Sequence, residues 1–322
     1  MSNLKIVITR RIPDAGINLL RQAGFEPIVS QKDGVLTREE LKEFVKGADA
    51  ILPLLTDKID AEILEVAGPQ LKVVANYAVG YDNINLDDCK AKNILVTNTP
   101  GVLTETVAEH AIGLLFAIAQ NIPQADKFTR EGKFVGWAPM LFLGTDLYDK
   151  TLGILGLGRI GLEVMKRLKD GFSLDIIYYD VNRNEQAEKE FNIKYVSLEE
   201  LMKNSDFLSI HVPLTPTTKH LIGEKELRLM KKTAYLINTS RGPLIDEAAL
   251  VKVLQEKAIQ GAALDVYENE PKLSDGLAQL DNVVLLPHIA SASIGTRSKM
   301  AEMAAQNILA VLNGQAPPNL VK

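Results

Sequence analysis

Apolar and polar positions alternate along the chain in a way that predicts two successive series of strands and helices. In the first series, short apolar runs at Lys5–Thr9, Pro27–Val29, Ala50–Leu55, Leu71–Asn76 and Ile94–Thr97 read as strands. Between them, apolar residues at helical spacing predict helices over Asp14–Ala23, Thr37–Lys46, Ala61–Val66 and Leu86–Ala91, with Thr37 and Glu40 placed as a capping box. The second series has strands at Thr151–Leu155, Ile176–Tyr179, Lys194–Val196, Phe207–Val212, Ala234–Asn238, Gly261–Leu264 and Val283–Leu286. Strands that alternate with helices imply parallel sheets covered on both faces. The expected class is therefore α/β, with two doubly wound parallel-sheet domains.

Three stretches depart from this rhythm. Asn98-Thr99-Pro100-Gly101 carries a Pro-Gly turn signal, and a domain crossing is expected there. Thr104–Gln120 is polar at its start and apolar almost all round later, as a helix buried at a domain or subunit interface would be. Arg130–Tyr148, with Trp137, Pro139 and Gly144, has no clear period and reads as a long loop or arm. The closing segment, Ile294–Leu312, is an amphipathic helix. It is expected to return to the first domain, whose sheet would otherwise keep one face open.

Composition narrows the function classes. The 322 residues suffice for two ordinary domains, and 46% hydrophobic with 24% charged residues is a common globular balance. A formal net charge of −5 argues against nucleic acid as the main partner. The single cysteine, Cys89, excludes an internal disulfide, and DDCKAKN offers it no activating base, so a structural role is expected. The start, MSNLKIVITRR, reads as a first strand rather than a signal peptide, and Ala111–Ala119 is too short to span a bilayer. A cytoplasmic protein without nucleic-acid or membrane partners is the expectation. No pair of histidines has metal-ligand spacing, so no metal is expected.

The stretch Thr151–Asp180 combines an apolar run, Gly156-Leu157-Gly158-Arg159-Ile160-Gly161, a helical segment, a second apolar run and an acid. In a dinucleotide site the first glycine allows the turn and the second lets backbone approach a pyrophosphate. The third lets the helix pack close to the strand. Asp180, 19 residues after Gly161, is spaced to bond a ribose diol. A plain βαβ unit with a glycine turn is the alternative, but strand, helix and acid together favour a nucleotide.

Ligands in doubly wound sheets sit at the carboxyl ends of the strands. There the second series delivers His211-Val212-Pro213, Asn238-Thr239-Ser240-Arg241, Asp265-Val266-Tyr267-Glu268-Asn269-Glu270 and Pro287-His288-Ile289-Ala290. Hydride transfer to a carbonyl needs a proton donor, an orienting carboxylate and an anchor for a substrate carboxylate. Histidine, glutamate and arginine suit these roles, and His288, Glu270 and Arg241 can fill them. Taken singly each has a plainer use: a satisfied histidine, a solvated acid, a surface ion pair. His110 reads as structural, His220 as a surface or packing residue, and His211 either as a cofactor contact or as structural.

The chain resembles the D-isomer-specific 2-hydroxyacid dehydrogenases over essentially its whole length. The resemblance rests on VGYDNIN at Val79–Asn85, NTPGVLTETVAEHAIGLLFA at Asn98–Ala117, GLGRIG, HVPLTPTTKHLI, INTSRGPLIDEAAL, GAALDVYENEP and LLPHIASAS. It implies a Rossmann NAD(P)-binding domain, residues 100–290, inserted into a flavodoxin-like substrate domain of residues 1–99 and 291–322. It also implies a homodimer, a cleft that closes on substrate, and His288, Glu270 and Arg241 in the catalytic roles above. Cofactor contacts are implied along the glycine loop, at Thr106, at Asp180, Val181 and Asn182, at His211, Pro213 and Thr217, at Thr239, Ser240 and Arg241, and at Asp265, His288 and Ala290. The substrate is expected at Leu55, at the backbone of Val79 and Gly80, and at Arg241 and His288; Trp137, whose arm reaches a neighbouring subunit's active site in relatives, reads either as a substrate-shaping residue there or as a simple interface anchor.

Within the family, the Trp-x-Pro of the arm and the pair Leu54-Leu55 resemble the glyoxylate/hydroxypyruvate reductases. The implied activity is reduction of a small 2-oxo acid. Asp180 would repel a 2′-phosphate, favouring NAD(H), while nearby Arg183 leaves NADP(H) open. D-3-phosphoglycerate dehydrogenase shares the triad, but many of its members carry a regulatory domain for which this chain has no room. A non-catalytic NAD(H)-sensing corepressor shares the fold, and no partner tail or basic patch supports it here.

Overall fold

The computed structural model describes residues 4–321, so the outermost residues of the expected 1–99 and 291–322 bounds lie outside the described residues. The chain divides into two compact units. One runs up to Leu103 and resumes at Ala292; the other spans Thr104–Ser291.

The first unit holds a parallel five-stranded sheet, β1 (Ile6–Ile8), β2 (Ile28–Val29), β3 (Ala50–Leu52), β4 (Val73–Ala75) and β5 (Leu95–Thr97), ordered β2-β1-β3-β4-β5. Three of these strands are fully buried apolar triplets, because helices cover both faces and leave no side to be polar. β3 stops at Leu52, short of the expected Leu55, since Pro53 has no N–H to give the ladder. The capping box of Thr37 and Glu40 is formed, starting the Arg38–Val45 helix. The closing helix, Ile294–Leu312, packs against the Asp14–Gln22 helix. The approach is close enough that a Cβ on Gly16 would lie 2.4 Å from the Ala301 carbonyl oxygen. Cys89 is buried, and burial pushes its thiol up to about 11, which makes it a poor nucleophile.

The second unit holds seven parallel strands, β6 (Thr151–Leu155), β7 (Asp175–Tyr179), β8 (Lys194–Tyr195), β9 (Phe207–Ile210), β10 (Tyr235–Asn238), β11 (Gly261–Leu264) and β12 (Val283–Leu285). Their order is β12-β11-β10-β9-β6-β7-β8, so the direction of winding reverses between β6 and β9. The helix Thr104–Ala119 buries Ala108, Ala111, Leu114, Leu115 and Ile118 in the core against β10, β11 and β12. A helix at Ile122–Arg130 had no counterpart in the apolar pattern. It buries none of its residues, so no apolar stripe marks it. After it the chain has no regular element until β6, and Val135, Trp137 and Met140 are exposed. Among the described residues, no helix is long and apolar enough to cross a membrane.

Candidate active site

At the winding reversal of the second unit, Gly156 follows β6 and His211 follows β9. Gly156 has φ 94°, and a Cβ there would come within 2.9 Å of the backbone of His211 and Val212. A Cβ on Gly161 would lie 2.1 Å from the Gly156 carbonyl oxygen, so this glycine permits the helix to start against the strand. Gly158 differs: nothing lies within 4 Å of its missing Cβ. It is also the N-cap of the Arg159–Phe172 helix and supplies no side-chain acceptor to the first N–H groups. Two tight glycines and one facing open space, at an uncapped helix start, make a cradle fitted to a pyrophosphate.

Asp180 follows β7. Its Oδ2 accepts the Leu157 N–H at 2.8 Å and its Oδ1 the Asn182 N–H at 2.9 Å. The acid thereby ties down the glycine loop, and each oxygen keeps a lone pair for a ribose hydroxyl. Val181 beside it is exposed. Arg183 is directed elsewhere: its Nε and Nη2 donate to the two carboxylate oxygens of Glu188 at 2.9 and 2.8 Å. That guanidinium holds the Glu188 carboxyl down at about 2. The Tyr178 hydroxyl, pushed up to about 12 chiefly by burial, donates to the same carboxylate.

The loops after β11 and β12 form a second assembly. Asp265, with no exposed surface, accepts the N–H of Ile289 on Oδ1 and of Ala290 on Oδ2, each at 2.8 Å. Its carbonyl accepts the His288 N–H at 2.9 Å. His288 lies in the left-handed region, φ 54°, which this grip holds in place. Its Nδ1 is 2.9 Å from Glu270 Oε2, while Glu270 Oε1 accepts the Tyr267 N–H at 3.0 Å. The Glu270 loop is anchored from below by buried Glu247, which accepts the N–H groups of Glu268 and Ser274 at 2.8 and 2.7 Å. His220 is on the surface and pairs with Glu268 at 2.6 Å.

Arg241 follows β10, where the Asn238 side chain donates to its carbonyl at 2.9 Å and its Nη1 donates to the Ser240 carbonyl at 2.8 Å. Ser240 donates from Oγ to the Ile210 carbonyl. Gly242 packs so tightly on Tyr267 that a Cβ would overlap its carbonyl carbon at 1.8 Å. Pro213 and Thr217 are exposed in the loop after β9, and Thr106 lies in the first turn of the Thr104–Ala119 helix.

Among the polar atoms of this unit that are buried without a hydrogen-bond partner are His211 Nδ1, Thr239 Oγ1 and His110 Nε2. Such atoms usually find partners, and a polar ligand at the rim would supply them. Burial lowers the His211 imidazole to about 3, and its Nε2 is 2.8 Å from Ser209 Oγ, so it stays neutral. Cradle, ribose acid and unpartnered rim atoms all fit a dinucleotide. Among the described residues, no cluster of three or more His, Cys, Asp or Glu could hold a metal ion.

The first unit carries Leu55, Val79 and Gly80, all partly exposed after β3 and β4. The carbonyls of Val79 and Gly80 accept the side-chain amides of Asn98 and Asn76, both at 2.8 Å. This turns the loop by its acceptors, while the N–H groups of Val79 and Gly80 make no hydrogen bond among the described residues. Buried Asn76 was legible only as a strand end; a polar amide closing an apolar run is the signal that marks it. Trp137 stands 85% exposed in the segment before β6.

Comparison with known proteins places this geometry. The family model described as D-isomer specific 2-hydroxyacid dehydrogenase, NAD binding domain, matches residues 112–290. A glyoxylate reductase of Korarchaeum cryptofilum is 51% identical over 319 residues, covering 98% of this chain and 95% of its own. The crystal structure of TT0316 protein from Thermus thermophilus superposes with a TM-score of 0.91 at 40% identity, covering 99% of this chain and 100% of its own. An NADPH-dependent glyoxylate/hydroxypyruvate reductase from Sinorhizobium meliloti, solved with NADP and malonate, has a TM-score of 0.87 at 33% identity, covering 99% and 97%.

Proposed function

The chain belongs to the D-isomer-specific 2-hydroxyacid dehydrogenases, and on that premise we propose that it reduces glyoxylate and hydroxypyruvate to their 2-hydroxy acids, with NADH preferred. The observation that carries the proposal is the His288–Glu270 pair at 2.9 Å, at the same carboxyl edge of the sheet as the dinucleotide cradle of that unit. A bound nicotinamide supplies the hydride. Glu270 accepts from Nδ1 of His288 and so presents Nε2 to the substrate as the proton donor for the alkoxide oxygen. Arg241 anchors the substrate carboxylate, a charge-assisted contact of about 1.5–3 kcal/mol. The unbonded N–H groups of Val79 and Gly80 suit the same carboxylate, and Leu55 shapes the space at the substrate carbon.

Two observations favour NADH over NADPH. Asp180 places a carboxylate where a 2′-phosphate would sit, and Arg183, the nearby cation, is committed to Glu188. The exposed apolar residues around Trp137 suit burial in a homodimer, in which Trp137 would shape the partner's substrate site. Residues 100–290 would then serve the cofactor and the remaining two segments the substrate.

The test is nicotinamide absorbance with glyoxylate, hydroxypyruvate, pyruvate and 3-phosphohydroxypyruvate, each with NADH and NADPH. Glyoxylate and hydroxypyruvate should give the highest kcat/KM. Best use of 3-phosphohydroxypyruvate would favour D-3-phosphoglycerate dehydrogenase activity instead. Tight NADH binding without turnover of any would point to a sensor.

A further inference from the structure

Two side chains in the second unit approach one another without joining. His110, midway along the Thr104–Ala119 helix, has an enclosed Nε2 with no hydrogen-bond partner, 3.5 Å from Asp265 Oδ1. Asp265 is fully buried, and each of its oxygens takes one backbone N–H, leaving one lone pair on each. A buried ring nitrogen without a partner forfeits its hydration for nothing, so a site that keeps one is incomplete until something polar enters.

The position of the pair says what enters. The Asp265 carbonyl holds the His288 N–H, and its carboxylate holds the two residues that follow. A nicotinamide whose hydride goes to the carbon of the carbonyl that His288 protonates must lie against this loop. Its ring has one polar substituent, a carboxamide, with an oxygen that accepts and an NH2 that donates. Asp265 as a carboxylate only accepts, and His110 as the Nε2–H tautomer donates.

We propose that His110 is a cofactor-binding residue of this chain: its Nε2–H donates to the carboxamide oxygen while Asp265 accepts from the carboxamide NH2. This rests on the function proposed above. The pairing also has a hand. Turning the ring over about its glycosidic bond would carry the carboxamide to the opposite edge, away from both residues, so the two together select one ring face for hydride transfer.

The test needs no turnover. NADH and ADP-ribose, which is the same molecule without the nicotinamide, are titrated into the wild-type protein, His110→Leu and His110→Gln. His110→Leu should weaken NADH about three- to ten-fold, the worth of one hydrogen bond, and leave ADP-ribose affinity unchanged. His110→Gln, whose amide can still donate, should recover part of the loss. Equal weakening of both ligands would show that His110 only packs the helix, and an unchanged NADH affinity would remove it from the site; either overturns the inference alone. Wild-type protein that binds neither compound would overturn the proposed function and this inference with it.

Discussion

Asp180, after β7, and Asp265, after β11, each accept two backbone N–H groups, one per carboxylate oxygen. Asp180 is partly exposed and grips a loop 23 residues back in the chain, within a single βαβ unit. Asp265 has no exposed surface and grips residues 24 and 25 positions ahead, which belong to the loop after the next strand. The first grip leaves a partly solvated acid beside the glycine loop. The second holds His288 in a left-handed backbone that costs an ordinary residue about 1–2 kcal/mol, and it does so beside an unpartnered histidine. In the proposed function, one carboxylate chooses which cofactor binds and the other sets where the proton comes from.

The comparison breaks most severely at its reactive end. His288→Gln should lower kcat by about 10²–10⁴-fold, the usual worth of a general acid, with NADH affinity retained. Turnover near the wild-type rate would take His288 out of the mechanism. Next is Asp265→Ala, which leaves two N–H groups in the His288 loop without their acceptor. Turnover should fall by about 10²-fold through misplacement of the imidazole, and urea unfolding should show a loss of about 2–4 kcal/mol. A fall in stability with normal kcat would mean that the grip is structural only.

Asp180→Ala tests the other end. The kcat/KM ratio of NADH to NADPH should fall by about ten-fold while kcat with NADH changes little. An unchanged ratio would mean that another group reads the ribose. The smallest effect concerns His211, behind Gly156. Its folded value of about 3 lies below the ordinary histidine value of 6.5. The unfolded chain therefore binds the extra proton between those values, and stability is fully present above the upper one and lost as pH falls towards the lower. His211→Asn should flatten that part of the curve of urea midpoint against pH; an unaltered slope would show that the imidazole charges without penalty.

Much of the Asp180 region was readable in the chain, because its parts are consecutive. Gly156, Gly158 and Gly161 have distinct surroundings that match the three spacings, and the helix follows directly. The residue types at the rim were equally readable, as each follows an apolar run, and His288 and Glu270 are joined. The double grip of Asp265 was not. Nothing in GAALDVYENEP distinguishes an acid that clamps a distant loop from one that faces water. His110 read as structural because its helix is apolar around it, and only its missing partner marks it. The Ile122–Arg130 helix escaped for the opposite reason, having no buried side to reveal.

The sequence by itself determined the α/β class, the run of strands, the cradle and the kinds of groups offered to a ligand. These depend on periodicity, on the backbone freedom of glycine and on chemistry within one βαβ unit. The tertiary structure decided which of those groups meet. Strand order brings β11 beside both β10 and β12, and that adjacency alone brings Asp265 to the His288 loop. A hydrogen bond between residues far apart in the chain leaves no local period, since it is fixed by the register of neighbouring strands and the packing of one helix across them.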